Sequence, residues 1–72
     1  MNLEIMAAVC FGHSMARNLD ASLDDIAKLA FANLKEVVDT ANLEDPPSIE
    51  YMASLVMNAV KEVVSSKLPI RH

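Results

Sequence analysis

The chain has 72 residues, and its ten acidic and six basic side chains give a net charge of −4. This length holds one small core at most, which leaves no room for a separate catalytic domain. Hydrophobic residues make up 53% of the chain, and so short a monomer would leave many of them in water. Composition therefore predicts self-association, and the acidic balance disfavours binding to the phosphate backbone of nucleic acids.

The cysteine content and the uncharged windows indicate a compartment. Cys10 is the only cysteine, so an internal disulfide is excluded and a reducing, cytoplasmic location is expected. The longest uncharged windows cover residues 5–16 and 51–60, and both are shorter than the roughly 18 residues of a membrane span. We expect no membrane association.

The chain contains few of the residues that interrupt helices. Proline occurs only at 46, 47 and 69, and glycine only at 12, so long stretches remain that need helices to satisfy their backbone groups. We predict an all-α fold with helices over about 2–17, 22–42 and 46–66. They form a single helical domain over 1–66, expected to be an interlocked homodimeric bundle, and 67–72 is a flexible C-terminal tail.

Helix 1 begins after Asn2, a plausible N-cap, and is apolar on more than one side. Within it Ala8, Gly12 and Ala16 recur every four residues and form a row of small side chains. Two interpretations are open: chance in an alanine-rich segment, or a close crossing of helix 1 with its own symmetry mate. Gly12 lowers helix stability by about 1 kcal/mol relative to alanine, which favours a packing role.

Helix 2 is the ordinary amphipathic helix of the three. Ser22 is its expected N-cap, with Asp24 and Asp25 in the first turn, where the helix dipole favours negative charge. One stripe of apolar residues with three- and four-residue spacing predicts its buried face. The stripe consists of Leu23, Ile26, Ala27, Ala30, Leu34, Val37, Val38 and Ala41. We expect helix 2 to face solvent in the dimer, with helices 1 and 3 forming the interface.

Residues 23–30, Leu-Asp-Asp-Ile-Ala-Lys-Leu-Ala, resemble the first helix of the helix-turn-helix in LacI-type repressors. That resemblance implies a DNA-binding transcriptional regulator, which we keep as the alternative function. The family continues with a turn of the Gly-Val-Ser kind, whereas Phe31-Ala32-Asn33 stands here. No functional residue is transferred from the family.

Helix 3 follows the break at Pro46-Pro47, with Asp45 or Ser48 as its N-cap. Its predicted buried face consists of Ile49, Met52, Ala53, Val56, Met57, Val60, Val63 and Val64. Tyr51, Leu55 and Ala59 form a second apolar stripe on another side. A second stripe is best explained by a partner chain. The predicted interface, to self or to a partner, consists of Met6, Ala8, Phe11, Gly12, Met15, Ala16, Tyr51, Leu55 and Ala59.

Chemistry-bearing side chains are few. Cys10 and His13 lie one helical turn apart, but a structural zinc site needs about four ligands, so we interpret Cys10 as a small buried hydrophobe. His13 and Ser14 could be combined with Asp20 or Asp24 as a triad only on paper, without an oxyanion hole or a cleft. We therefore expect no enzyme activity, no metal, no cofactor and no small-molecule substrate.

These observations favour a small protein–protein interaction module. Its partners are expected to be a second copy of itself, as a homodimer, and another protein, with nucleic acid disfavoured. An adaptor, an inhibitor or a regulatory subunit would act in this way, by binding a partner protein through an apolar helical surface.

Overall fold

The computed structural model describes residues 2–67. Within that range the protein is all-helical, with three helices and no strand: α1 spans Leu3–Arg17, α2 spans Leu23–Ala41 and α3 spans Ile49–Lys67. Each helix packs against the other two. The predicted helix bounds at 2–17 and 22–42 agree with α1 and α2. Lys67, predicted as the first residue of the flexible tail, is instead the last residue of α3, and positions 68–72 of the predicted tail lie outside the described residues.

The first two helices begin and end at residues whose side chains or backbone suit a helix terminus. The Asn2 side chain accepts a hydrogen bond from the backbone N of Ile5 at 3.1 Å. The Ser22 hydroxyl accepts one from the backbone N of Asp25 at 3.2 Å. Asn42 ends α2 in the left-handed conformation, with φ 54°, which asparagine adopts more readily than most residues. Both predicted N-caps are confirmed.

The third helix begins three residues later than predicted. Its expected start was Pro46, but α3 begins at Ile49. The reason is the proline pair, because Pro47 disfavours helical geometry at the residue before it. The Ser48 hydroxyl accepts a hydrogen bond from the backbone N of Tyr51 at 3.1 Å. Of the two predicted caps, Ser48 therefore fills the role.

The core lies where the three helices meet. Its largest fully buried side chains are Phe11 of α1 and Leu34 of α2. The buried hydrophobic residues are Ala7, Cys10, Phe11, Ile26, Ala30, Leu34, Val38, Met52, Leu55, Val56 and Ala59. On α2 the four buried positions all belong to the predicted stripe, and Leu23, Ala27 and Val37 are half-buried. Ala41, at the end of the stripe and of the helix, is exposed, contrary to the prediction.

The buried face of α3 differs from the prediction. Met52 and Val56 are buried as expected, but Ile49, Ala53, Met57 and Val64 are exposed. Leu55 and Ala59, predicted as interface residues to self or to a partner, lie in the core. The physical reason is that α3 packs against α1 and α2 together. Its buried arc therefore follows Met52, Leu55, Val56 and Ala59, the i, i+3, i+4, i+7 spacing of one helix face.

No turn interrupts α2 at Phe31–Asn33, because the helix is continuous from Leu23 to Ala41. The segment that resembles the first helix of a LacI-type motif is thus the first half of one long helix, and within Leu23–Ala41 the turn and the second helix of that motif are not formed. Among residues 2–67, no helix combines the length and apolar character required to cross a lipid bilayer.

Candidate interaction surfaces

A polar contact ties α1 to α2. The side-chain Nδ2 of Asn33 donates a hydrogen bond to Oγ of Ser14 at 3.2 Å, and Ser14 is only 2% exposed. The Nδ2 of Asn18 donates to the carbonyl oxygen of the same serine at 2.8 Å. Buried polar groups need such partners. Consecutive helices joined by a short connection pack as an antiparallel pair, and the contact between Ser14 and Asn33 sets these two positions of α1 and α2 side by side.

An open groove of about 440 Å³ runs along this junction, and we call it the α1–α2 groove. Its apolar part is formed by Met6, Val9, Leu29 and Val37, and its polar part includes the Ser14–Asn33 contact. The complete lining is Met6, Val9, Cys10, His13, Ser14, Arg17, Asn18, Leu29, Asn33, Glu36 and Val37. Apolar and polar side chains thus share one concave surface, as at many protein interfaces.

The charges of the α1–α2 groove are divided between its two walls. On the α1 wall, Nη1 of Arg17 lies 3.5 Å from Nε2 of His13. On the α2 wall stands Glu36. The ion pair that the structure shows, Lys35 with Asp39 at 3.4 Å, lies elsewhere on α2. Across the part of the chain that the structure describes, neither Arg17 nor Glu36 has an ion-pair partner.

The outer face of α1 carries large and small apolar residues side by side. Ile5 is 59% exposed and Val9 is 57% exposed. The small residues of the predicted row, Ala8, Gly12 and Ala16, are exposed as well. A Cβ atom added to Gly12 would meet no atom within 4 Å. Among the described residues, nothing lies close enough to Gly12 to contact an added methyl group.

A third apolar surface follows the outer side of α3, and we call it the α3 stripe: Ile49, Ala53, Met57, Val60 and Val64. Val60 is half-buried and the other four are exposed, with Met57 at 49%. Beside Ala53 and Met57, a cleft of about 260 Å³ opens against Ala27 and Phe31 of α2. The stripe and the cleft form one continuous apolar surface.

The nine residues predicted as the interface do not form a single patch. Phe11, Leu55 and Ala59 lie in the core, because the single chain packs them between its own helices. Met6 and Met15 are half-buried against the core, whereas Ala8, Gly12, Ala16 and Tyr51 are exposed. Sequence reasoning missed Leu29, Glu36 and Val37, because helix 2 was expected to face solvent.

The candidate chemical groups are placed apart from one another. The Ser14 hydroxyl accepts a hydrogen bond from Asn33, and His13 contacts Arg17. The catalytic triad considered from the sequence, His13 and Ser14 with an aspartate, is therefore not assembled. Cys10 is buried, as predicted, and desolvation by burial raises the pKa of its thiol. In residues 2–67, no group of three or more His, Cys, Asp or Glu side chains is placed to hold a metal ion.

Comparison of the chain with protein-family models, with curated proteins and with solved structures finds no match.

Proposed function

We propose that this chain is a non-enzymatic protein–protein interaction module that associates with itself and also binds another protein. In this role it serves as an adaptor, an inhibitor or a regulatory subunit. The observation that carries the proposal is the α3 stripe, which keeps four exposed apolar side chains on one side of one helix. Exposed apolar residues are unremarkable when scattered, but a continuous apolar surface marks an interaction site.

The α3 stripe has the geometry of a helix-in-groove contact. Ile49, Ala53 and Met57 are four residues apart, and Val60 and Val64 continue the same side of the helix. Such i, i+4, i+8 anchors enter an apolar groove of a partner. The cleft beside Phe31 adds a recess that receives an apolar side chain from the partner in return.

Charged residues border this surface and set the orientation of the complex. Asp24 and Lys28 line the α2 side of the cleft, and both are exposed. Charges at the rim of an interface change the association rate and the choice of partner more than the affinity. A partner with charges of both signs around an apolar groove fits this border.

Site-specific photo-crosslinking tests the partner surface. A benzophenone amino acid replaces Met57 in one variant and Thr40 in a control variant. The control places the probe at an exposed position of α2, outside the α3 stripe. In cells that naturally express the chain, we expect position 57 to crosslink one discrete protein that position 40 does not. Met57→Glu is expected to abolish binding of that protein while leaving helicity unchanged. The same crosslinks from both positions would refute the proposed surface.

A further inference from the structure

We propose that the α1–α2 groove is the self-association surface of this protein and that its occupant is a second copy of the chain. In the dimer, α1 of one subunit packs on α2 of the other about a two-fold axis parallel to the helices, which forms an antiparallel four-helix arrangement. This inference rests on the self-association proposed above and names the surface that mediates it. It does not depend on the α3 stripe.

The helix register aligns two of the four apolar groove residues, Val9 and Val37, with each other. Counting from the Ser14–Asn33 hydrogen bond, Val9 lies about 7.5 Å along α1, and Val37 lies about 6 Å along α2 in the same direction. The two valines are therefore at nearly the same height. A two-fold axis parallel to the helices keeps that height, so Val9 of one subunit faces Val37 of the partner subunit.

The charges of the groove align in the same way. His13 is about 1.5 Å and Glu36 about 4.5 Å from the Ser14–Asn33 level, on the same side of it. The Arg17 guanidinium reaches back to His13, with 3.5 Å between Nη1 and Nε2, so it lies near the height of Glu36. The same axis therefore sets the cationic α1 wall of one subunit against the partner's Glu36, and the reverse contact occurs on the other side.

This arrangement is what an isologous interface requires. In such an interface one patch must complement itself, so each feature needs its counterpart at the symmetry-related position. The α1–α2 groove places the Arg17 guanidinium on one wall and the Glu36 carboxylate on the other, at one height and without an ion-pair partner among the described residues. It also places a valine on each wall at a second height. A second copy matches both features at once.

Charge reversal in trans tests the pairing. In a homodimer of Arg17→Glu or of Glu36→Lys, like charges meet at both crossings, which are the two contacts between position 17 of one subunit and position 36 of the other. Each variant alone should therefore dimerise at least roughly tenfold more weakly than wild type. In an equimolar mixture, the heterodimer has opposite charges at both crossings. One crossing joins the introduced glutamate to the introduced lysine, and the other joins native Arg17 to native Glu36. Sedimentation equilibrium of the mixture should recover a mass near twice 7.9 kDa.

Matched valine variants test the apolar contact, with circular dichroism verifying that each variant is helical. Val9→Glu should dissociate the dimer, whereas Val64→Glu, at an exposed valine of α3, should not. Gly12→Leu should also leave the dimer intact, because Gly12 lies outside the α1–α2 groove. Dissociation by Gly12→Leu would instead assign the dimer to the row of small residues on α1.

Two further outcomes would overturn the inference in distinguishable ways. A monomeric wild type at micromolar concentration would remove self-association itself, and with it that part of the proposed function. A wild-type dimer without recovery in the mixture of Arg17→Glu and Glu36→Lys would leave self-association standing and reject this surface. Neither result would bear on photo-crosslinking from position 57.

Discussion

The side-chain amide of Asn33 donates a hydrogen bond to the Ser14 hydroxyl across the α1–α2 junction at 3.2 Å. The two partners differ in burial, because Ser14 is enclosed by the core and Asn33 is half-buried at its edge. Replacing Ser14 and replacing Asn33 should therefore lower the free energy of unfolding by different amounts. A buried polar group left without its hydrogen bond keeps its desolvation penalty, whereas a group that reaches water does not.

Asn33→Ala should consequently be the more damaging of the two substitutions at this contact. It strands the Ser14 hydroxyl in the core and should lower the free energy of unfolding by about 1–3 kcal/mol. Ser14→Ala should lower it by about 1 kcal/mol or less, because the Asn33 amide can turn to solvent. Urea unfolding followed by circular dichroism, at one fixed protein concentration, measures both. The reverse order of the two effects would contradict this account of the contact.

The core is expected to be most sensitive at Leu34, which is fully buried between the helices. Leu34→Ala removes packed methyl groups and leaves a cavity, which lowers the free energy of unfolding by about 2–5 kcal/mol. Leu19→Ala is the matched control, because Leu19 is 81% exposed in the α1–α2 connection; its effect should stay within about 0.5 kcal/mol. Equal urea midpoints for the two variants would contradict the placement of Leu34.

Local signals explain why much of the fold could be predicted from the sequence. Asn2 and Ser22 act on backbone groups three residues away, so a cap can be recognised without knowing the tertiary structure. On α2, charged residues occupy the side opposite the apolar stripe, and only one buried face is possible. On α3 the contrast is weaker, because its apolar residues cover a much wider arc than one stripe. Which part of that arc is buried is decided by simultaneous contact with α1 and α2, and the periodicity does not contain this information.

The α1–α2 groove was beyond sequence reasoning for a related reason. From the sequence, Arg17 and Glu36 are ordinary surface residues and Val37 belongs to the apolar stripe of helix 2, and nothing joins the three until the register of the two helices is known. That register is set by the contact between Ser14 and Asn33, nineteen positions apart. The sequence does show Ser14 as a polar residue within an uncharged stretch of helix 1. It does not show that Asn33 is the residue to which Ser14 is hydrogen-bonded.

Gly12 tests whether the row of small residues on α1 has a packing role within the folded protein. A Cβ atom at this position would meet no neighbour, so Gly12→Ala should raise the free energy of unfolding by about 1 kcal/mol through its helix propensity alone. Ala8→Gly is the inverse control at an exposed position of the same helix and should lower it by a similar amount. Thermal unfolding of both variants provides the comparison. A destabilised Gly12→Ala variant would mean that another backbone approaches α1 there.

Cys10 should make stability depend on alkaline pH. Burial raises the pKa of its thiol above the ordinary value of 9.0, so above that pH the unfolded chain loses the proton while the folded chain still holds it. The contribution of Cys10 to the free energy of unfolding is therefore constant below about pH 9 and decreases as the pH rises further. Cys10→Ala lacks this titration and serves as the reference. The stability of wild type relative to this variant should be constant up to about pH 9 and fall as the pH rises above it in urea unfolding. A difference that stays constant above about pH 9 as well would show that the thiol ionises as readily in the folded chain as in the unfolded one, which the burial of Cys10 against the core opposes.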